Sequence, residues 1–529
     1  MGFFCYNIVM EKTITISQKD YEEFLKTAAL LKKTQEENAV LKTEIDYLTQ
    51  LLKLRAIDKF AQKSETHEQL SLFDDIELNK EIEELEQKVE EEKSQKVAGY
   101  VRTKKKNFVN EDLNLPVSVV EVTIDDPDLI DINEDKVVRE LMYEPPKFYI
   151  RETRYHVYKK VLPDGSSTLV SREKAVRPFG KSMISSELVS KIIYDKVFLS
   201  LPLYRQEKDL ALQGINLSRQ DMSNLVYKAA DILKPISDQI DQVVKESSIT
   251  RSDETTLKVI KVTDKDLKVK TTKSKSYVWV YSTGFGEIPA TSYKLGPTRS
   301  RGSLLSFLDS SKPRFLHCDG YTSYRNVPNL TIVPCFAHMR REFANILKTK
   351  TNSQSETAII VNAFDSIFHT DNLIRSKYKN DFDKIKEERL ILMKPLVDDL
   401  FKLLNDYALK GLKKSLFMKA VNYSLNLEKD AYNIFLDGRL ELSNNASERK
   451  VKDFVIGRKN RLFSNTSKGA EVTCLLYSVV RTAIDNNLDP FKYLNYIFNT
   501  IGTYTNPKKI NIDDYVPWSE KLPKEIRLD

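Results

Sequence analysis

Between Ile249 and Phe336 the chain lays down its predicted elements in an order that admits few folds: three strands, a helix, a strand, a short helical turn and another strand. The first segment, Ile249 to Ile260, is rich in β-branched residues, whose stiff side chains suit a pleated surface. Tyr277–Tyr281 and Ile288–Tyr293 also read as strands, and Ser303–Leu308 reads as helical. Arg314 to Cys318 reads as a short buried strand ending in Asp319-Gly320. After room for a helical turn from Ser323 to Val327, the strand Leu330 to Phe336 runs into a helix bearing His338, Arg340 and Arg341. Two of these segments bring an aspartate to a strand or its end, Asp253 and Asp319.

The matching third acid lies far downstream. Leu442-Ser443-Asn444-Asn445-Ala446-Ser447-Glu448-Arg449-Lys450 places Glu448 in the first turn of a helix that should start from a Ser/Asn cap and stop at Gly457. Seven Lys or Arg fall between Arg449 and Lys468, opposed there only by Asp453 and by Glu448 just before them. A solvated amphipathic helix would alternate signs. An acid beside such a basic run is the pattern of a metal-binding carboxylate next to a phosphate backbone. The element order around the two aspartates matches a ribonuclease-H-like core.

At this point the chain resembles a transposase of the insertion-sequence-66 family, a branch of the DDE transposases and integrases. The resemblance is carried by Leu201-Pro202-Leu203-Tyr204-Arg205-Gln206, Ser252-Asp253-Glu254-Thr255, Cys318-Asp319-Gly320-Tyr321, Cys335-Phe336-Ala337-His338-Met339-Arg340-Arg341 and Asn444-Asn445-Ala446-Ser447-Glu448-Arg449, with Gly457-Arg458-Lys459-Asn460 behind. It extends from about Arg177 to Phe498. The resemblance implies that Asp253, Asp319 and Glu448 form the DDE triad, holding two Mg2+ (or Mn2+) ions. It implies a protein that binds the terminal repeats of its own mobile element, nicks them and joins the freed 3′-hydroxyl to target DNA. Self-association and element-encoded accessory proteins are further expectations, with the bacterial cytoplasm and its nucleoid as the compartment.

Phosphodiester chemistry explains why three carboxylates are needed. Two magnesium ions roughly 3.5–4 Å apart can activate the attacking oxygen and stabilise the leaving one, and hard cations prefer carboxylate oxygens. Successive strand residues face opposite sides, so Asp253 and Glu254 cannot both point into one site. Spacing leaves that choice open; the resemblance selects Asp253.

The whole chain is therefore expected to be a multidomain α/β protein: a ribonuclease-H-like mixed-sheet catalytic core with an all-helical insertion, preceded by a helical DNA-binding region and an N-terminal coiled coil. Residues 1–60 form the oligomerisation arm, with Phe24, Leu31, Asn38, Ile45 and Leu52 at one heptad position and Leu41 and Leu48 at the other. A lone helix packed on its own domain is the alternative. Residues 61–116 are an acidic then basic linker. Residues 117–178 correspond to a module that binds zinc through paired cysteines in many family members, but this chain has no Cys between Cys5 and Cys318. Residues 179–245 resemble a helix-turn-helix around Gly214, where Arg219, Gln220, Ser223 and Asn224 would meet bases or phosphates; three-helix packing without DNA is equally compatible. The core then spans 246–350, the insertion 351–440, the helix with Glu448 and its basic motif 441–470, and a helical tail 471–529. Within the insertion, apolar runs such as Leu390-Ile391-Leu392-Met393 and Leu400-Phe401-Lys402-Leu403-Leu404 read as long helices.

Charge and cysteine usage fit this picture. The formal charge is only +7 because the Glu-dominated stretch Asp74 to Lys93 masks basic pieces such as Arg102 to Lys106 and Arg449 to Lys468. No apolar run is long enough to cross a bilayer. Four scattered cysteines form no disulfide framework, and the chain opens with no secretory signal. A zinc site from His317, Cys318, Cys335 and His338 is disfavoured because His317 and Cys318, adjacent on a strand, point to opposite faces. Expected DNA contacts are His338, Arg340, Arg341, Arg449, Arg458, Lys459 and Arg461, besides Arg219 and Gln220. The rival function is a catalytically retired transposase kept as a DNA-binding regulator; the missing cysteine pairs favour it, and the three acids in place oppose it.

Overall fold

The structure is a computed structural model that describes residues 148–528, apart from 155, 162–166, 172–175, 181, 264–269, 272–274, 309–313, 321–323, 325–326, 328, 349–354, 411–414 and 504–509. The expected coiled-coil arm, the linker and most of the cysteine-free module lie outside the described residues. The described residues up to 175 belong to a different unit from those that follow. Its described part is an antiparallel hairpin, β1 (Val157–Val161) with β2 (Ser167–Ser171), in which Val157 faces Ser171 and Val161 faces Ser167.

From residue 176 onward the chain builds a second unit around one sheet. Helix α1 (Ser186–Val197) starts where the Ser185 hydroxyl accepts the Leu188 N–H, and α2 (Leu203–Leu212) follows. Gly214 then turns the chain with φ +77°, a conformation that costs glycine nothing. Helix α3 (Arg219–Glu246) starts at Ser218, whose hydroxyl accepts the Asp221 N–H. Its 28 residues carry a buried stripe of Met222, Val226, Ala229, Leu233, Ile236, Ile240 and Val244, the three-and-four spacing that turns one helix face inward.

The sheet is mixed. Strands β3 (Ile249–Thr263), β4 (Lys270–Thr271), β5 (Lys275–Thr283) and β6 (Thr291–Gly296) come first, then helix α4 (Arg301–Leu305), then β7 (Arg314–Cys318) and β8 (Leu330–Pro334). The spatial order is β6-β5-β3-β7-β8, antiparallel from β6 to β3 and parallel from β3 to β8. Such a sheet with helices on it fits the ribonuclease-H-like core expected from the sequence. Some boundaries differ: β6 starts at Thr291, leaving Ile288, Pro289 and Ala290 outside it, the helix after it is Arg301–Leu305, and β8 ends at Pro334.

Beyond β8 the chain turns at once into α5 (Phe336–Leu347), and four more helices follow: α6 (Glu356–Tyr378), α7 (Phe382–Glu388), α8 (Lys394–Lys410) and α9 (Leu416–Leu425), then the short α10 (Glu428–Ala431). Between α7 and α8 a π-helical turn spans Arg389–Met393. Phe343, Phe364, Phe401, Val397 and Leu404 bury one another there in a core of their own. Helix α11 (Asn445–Arg461), β9 (Ser464–Thr466), α12 (Ser467–Asp485) and α13 (Pro490–Thr500) return to the sheet. β9 pairs parallel with the far end of β3, Ser464 facing Val259, and Ser478 of α12 accepts the Tyr293 N–H of β6 at 2.8 Å. No helix among the described residues is long and apolar enough to cross a membrane.

Candidate active site

The parallel half of the sheet sets two aspartates side by side. β3 pairs with β7 so that Thr250 faces Leu316 and Arg251 faces His317; two residues further, Asp253 comes level with Asp319, the first residue past the end of β7. Asp253 is half-buried, and its carboxyl is pushed well above the usual carboxylate range, first by burial and then by Glu254 and Asp319, with a weaker contribution from Glu448. The Glu254 N–H, donated to Asp253 Oδ1 at 2.7 Å, pulls the other way.

Glu254 is differently placed. Its side chain is buried, Tyr324 donates its hydroxyl to Oε2 at 2.5 Å, and Arg299 donates to Oε1. Arg299 also reaches Asp319, with Nη2 3.4 Å from Oδ2. Burial raises the Glu254 carboxyl, and the Tyr324 and Arg299 hydrogen bonds oppose that shift.

Glu448 arrives through a tertiary anchor. Asn444 occupies the N-cap position of α11 but makes no side-chain cap; instead it donates Nδ2 to the Ser252 carbonyl at 3.2 Å and its N–H to Cys335 Sγ at 3.2 Å. The Phe336 N–H adds a bond of 2.8 Å to the Leu442 carbonyl. The start of α11 is thereby tied to β3 next to Asp253 and to the end of β8. Glu448, in the first turn, is buried, with Oε1 3.3 Å from His338 Nε2 and Oε2 3.5 Å from Arg341. Burial, with Arg341 adding to it, lowers the His338 pKa to about 4, so at neutral pH the ring is uncharged and Arg341 supplies the positive charge.

Cys335, His338 and Glu448 offer donor atoms within 4.8 Å of one another, a set that could hold a metal ion. The Cys335 thiol is fully buried and pushed up to about 12, chiefly by that burial. His317 is not part of this group. Its Nε2 meets the Glu441 carbonyl, and burial lowers its pKa to about 4. Cys318, Cys335 and Cys474 are free and buried.

The basic residues divide into two groups. Helix α11 does not stop at Gly457 but continues to Arg461, and Gly457 is needed for packing: a Cβ there would lie 2.1 Å from the Tyr477 hydroxyl. Arg458 and Arg461 therefore leave from the last helical turn and not from an exit loop. Arg458 donates to Thr256 Oγ1 at 2.5 Å and to Thr255 Oγ1 at 3.2 Å on β3. The Arg461 guanidinium lies 4.6 Å from the Phe454 ring centre and 5.7 Å from that of Tyr477. Arg340 pairs with Asp365 of α6, Nη2 to Oδ2 at 3.1 Å. Arg449 and Lys459 are exposed. Arg219 and Gln220 are exposed at the start of α3, outside the acid cluster; Gln220 donates to Asn224 at 3.2 Å. Arg299 and Tyr324 escaped sequence reasoning, since neither belongs to a motif. The available signal was the doubled acid Asp253-Glu254, which requires partners when it sits in a sheet.

Comparison with known proteins assigns this chain to a family. Residues 181–472 match the model of the family described as Transposase IS66 family. The chain is 26% identical over 405 residues to the uncharacterized protein y4qI of Sinorhizobium fredii, covering 74% of this chain and 72% of that one. It is 28% identical over 356 residues to the uncharacterized protein y4jD of the same organism, covering 64% and 66%. Among solved structures it is similar to the Drosophila P element transposase strand transfer complex, with a TM-score of 0.37 and 10% identity over 56% of this chain and 92% of that one. With the family match running through the sheet, both aspartates, the insertion and the helix of Glu448, the chain belongs to the IS66 family of transposases.

Proposed function

We propose that this transposase cleaves DNA at the ends of its mobile element and joins them to target DNA, with Asp253, Asp319 and Glu448 as the carboxylates that hold two divalent cations, Mg2+ or Mn2+. The observation that carries this reading is Asp253 on β3 beside Asp319, which directly follows the parallel neighbour β7, with the first turn of α11 tied by Asn444 to the residue before Asp253. The donor set fits a hard cation. Asp253 is crowded by three other carboxylates that disfavour its charged form, and bound positive charge relieves that crowding. Two such ions supply activation of the attacking oxygen and stabilisation of the leaving oxygen in an in-line displacement.

The protein's own part is to hold these acids before substrate arrives. The β3–β7 ladder sets the aspartates beside each other, Asn444 fixes the start of α11, and His338 and Arg341 flank the Glu448 carboxylate. Glu254, with both oxygens engaged by Tyr324 and Arg299, supports the site from behind. Arg449 and Lys459, exposed on the same helix as Glu448, are placed to meet phosphates. The homo-oligomer, the accessory proteins and the nucleoid association remain part of this proposal through the family.

The test is to incubate the purified full chain with element ends, target DNA and Mg2+, and to read nicked and joined products. Asp253→Asn, Asp319→Asn and Glu448→Gln should each reduce both products to the level of a protein-free control while leaving DNA binding intact. Cleavage retained in one variant would remove that residue from the triad. Binding without any cleavage by the unaltered protein would favour the retired regulator.

A further inference from the structure

Arg299 lies between β6 and α4, and it touches two of the four acids unequally. Its Nε is tied to Glu254, whose side chain is 1% exposed, while its Nη2 stands 3.4 Å from Asp319, which is 27% exposed. The arginine side chain itself is 37% exposed. Glu254 is thus a buried anchor, further held by the Tyr324 hydroxyl, and Asp319 is the outer, looser partner. Burying a carboxylate is costly unless its oxygens are matched, and here both are. The tight contact would hold Arg299 in place even when the loose one is given up.

We propose that Arg299 is a positioning residue that acts as an internal counter-charge: it covers the outer side of Asp319 while no metal is bound and cedes that contact to a divalent cation, remaining on Glu254. This rests on the reading that Asp253 and Asp319 bind metal. It also accounts for Glu254 standing beside the triad without joining it, since its oxygens are committed to the arginine and the tyrosine. Because a cation binding at Asp319 must compete with Arg299, removing the arginine's charge should strengthen metal binding. A partly exposed ion pair is worth a factor of roughly two to five in an equilibrium constant.

The experiment is titration of the full-length chain with Mn2+, followed by the paramagnetic resonance of the free ion. Arg299→Gln should lower the dissociation constant roughly two- to fivefold, and Arg299→Lys, which keeps the charge, should leave it near the unaltered value. A purely structural role would instead weaken binding in both variants. An unchanged or weaker affinity in Arg299→Gln overturns the proposal. Should that variant fail to fold, Glu254→Gln provides the second arm: with the anchor's charge gone, Arg299 pairs with Asp319 alone and Mn2+ binding should weaken, whereas equal or tighter binding overturns the proposal. Asp253→Asn and Asp319→Asn separate the two levels. If both bind Mn2+ as the unaltered chain does, the metal reading fails and takes this proposal with it; if they lose it while Arg299→Gln is unchanged, only the counter-charge is wrong.

Discussion

Two clusters of inward-facing charge among the described residues are built on opposite principles. In the helical region Asp371 receives Arg389 Nε at 2.7 Å and Arg375 Nε at 3.1 Å. Arg389, with no exposed side-chain surface, donates its remaining groups to the carbonyls of Leu440 at 2.8 Å, Ile434 at 3.4 Å and Asp437 at 3.5 Å. In the sheet, Asp253, Glu254 and Asp319 crowd together, with Arg299 as the cation bonded to two of them. The first cluster is complete by itself: its cations outnumber its acid and its hydrogen bonds close on backbone. The second carries an excess of acid that adds to burial in raising the Asp253 carboxyl. A buried ion pair that is fully matched serves architecture, whereas a crowded set of acids is a site whose missing charge must come from outside.

The largest expected effect breaks the closed cluster. Arg389→Met should cost about 3–5 kcal/mol, because it leaves Asp371 with Arg375 as its remaining cation and takes one donor each from the Leu440, Ile434 and Asp437 carbonyls. Urea denaturation measures this, and a loss below about 1 kcal/mol would show that the cluster is not matched in the way described.

The open cluster should respond with the opposite sign. Asp253→Asn removes a carboxyl whose folded-state pKa is raised by burial and by its acidic neighbours, so in the absence of metal the variant should be more stable than the unaltered chain at neutral pH. The sign follows from proton linkage. A raised folded-state pKa means the folded chain holds the proton more tightly, so the group's penalty is fully present above the folded pKa and is relieved as pH falls toward the unfolded value near 3.8. The gain in Asp253→Asn should therefore shrink on acidification through that window. Thermal melts at a series of pH values check this, and a variant less stable than the unaltered chain at neutral pH would remove repulsion as the description of the cluster.

The smallest effect extends the comparison to the basic residues of α11. Arg458 and Arg461 are engaged inside the protein, and Arg449 and Lys459 face solvent. Arg449→Ala and Lys459→Ala should each reduce the slope of log affinity against log salt by about 0.9 on duplex DNA. Arg458→Ala and Arg461→Ala should leave that slope unchanged and lower the melting temperature. An equal change of slope in all four would mean that the inner arginines swing out to reach DNA.

Much of the core was legible because its signals are local. Alternation and β-branching around Asp253, the Asp-Gly after Cys318 and the Ser218 cap all act over a few residues. Other local signals pointed elsewhere. Leu390-Ile391-Leu392-Met393 read as part of a long helix, yet the run lies in a π-helical turn in which these first three are 45%, 67% and 50% exposed, while Arg389 and Met393 are buried. The π-helical turn shifts which side chains face inward, and Asp371 with the Leu440 carbonyl makes the arginine the residue worth burying. Gly457 suggested a stop, but the Tyr477 hydroxyl needed the space of its missing side chain.

The sequence alone determined the order of the elements, the strand-borne aspartates, Glu448 in the first turn of its helix and hence the family, since each depends on residue types a few positions apart. Only the tertiary structure decided which charges are matched and which are left over. Arg299 finds Glu254 across 45 residues and Asn444 finds Ser252 across 192, and no pattern in a linear chain encodes such meetings. Burial removes the water that would otherwise screen these charges, so their pairing is settled by which groups the fold brings within a few ångströms of each other.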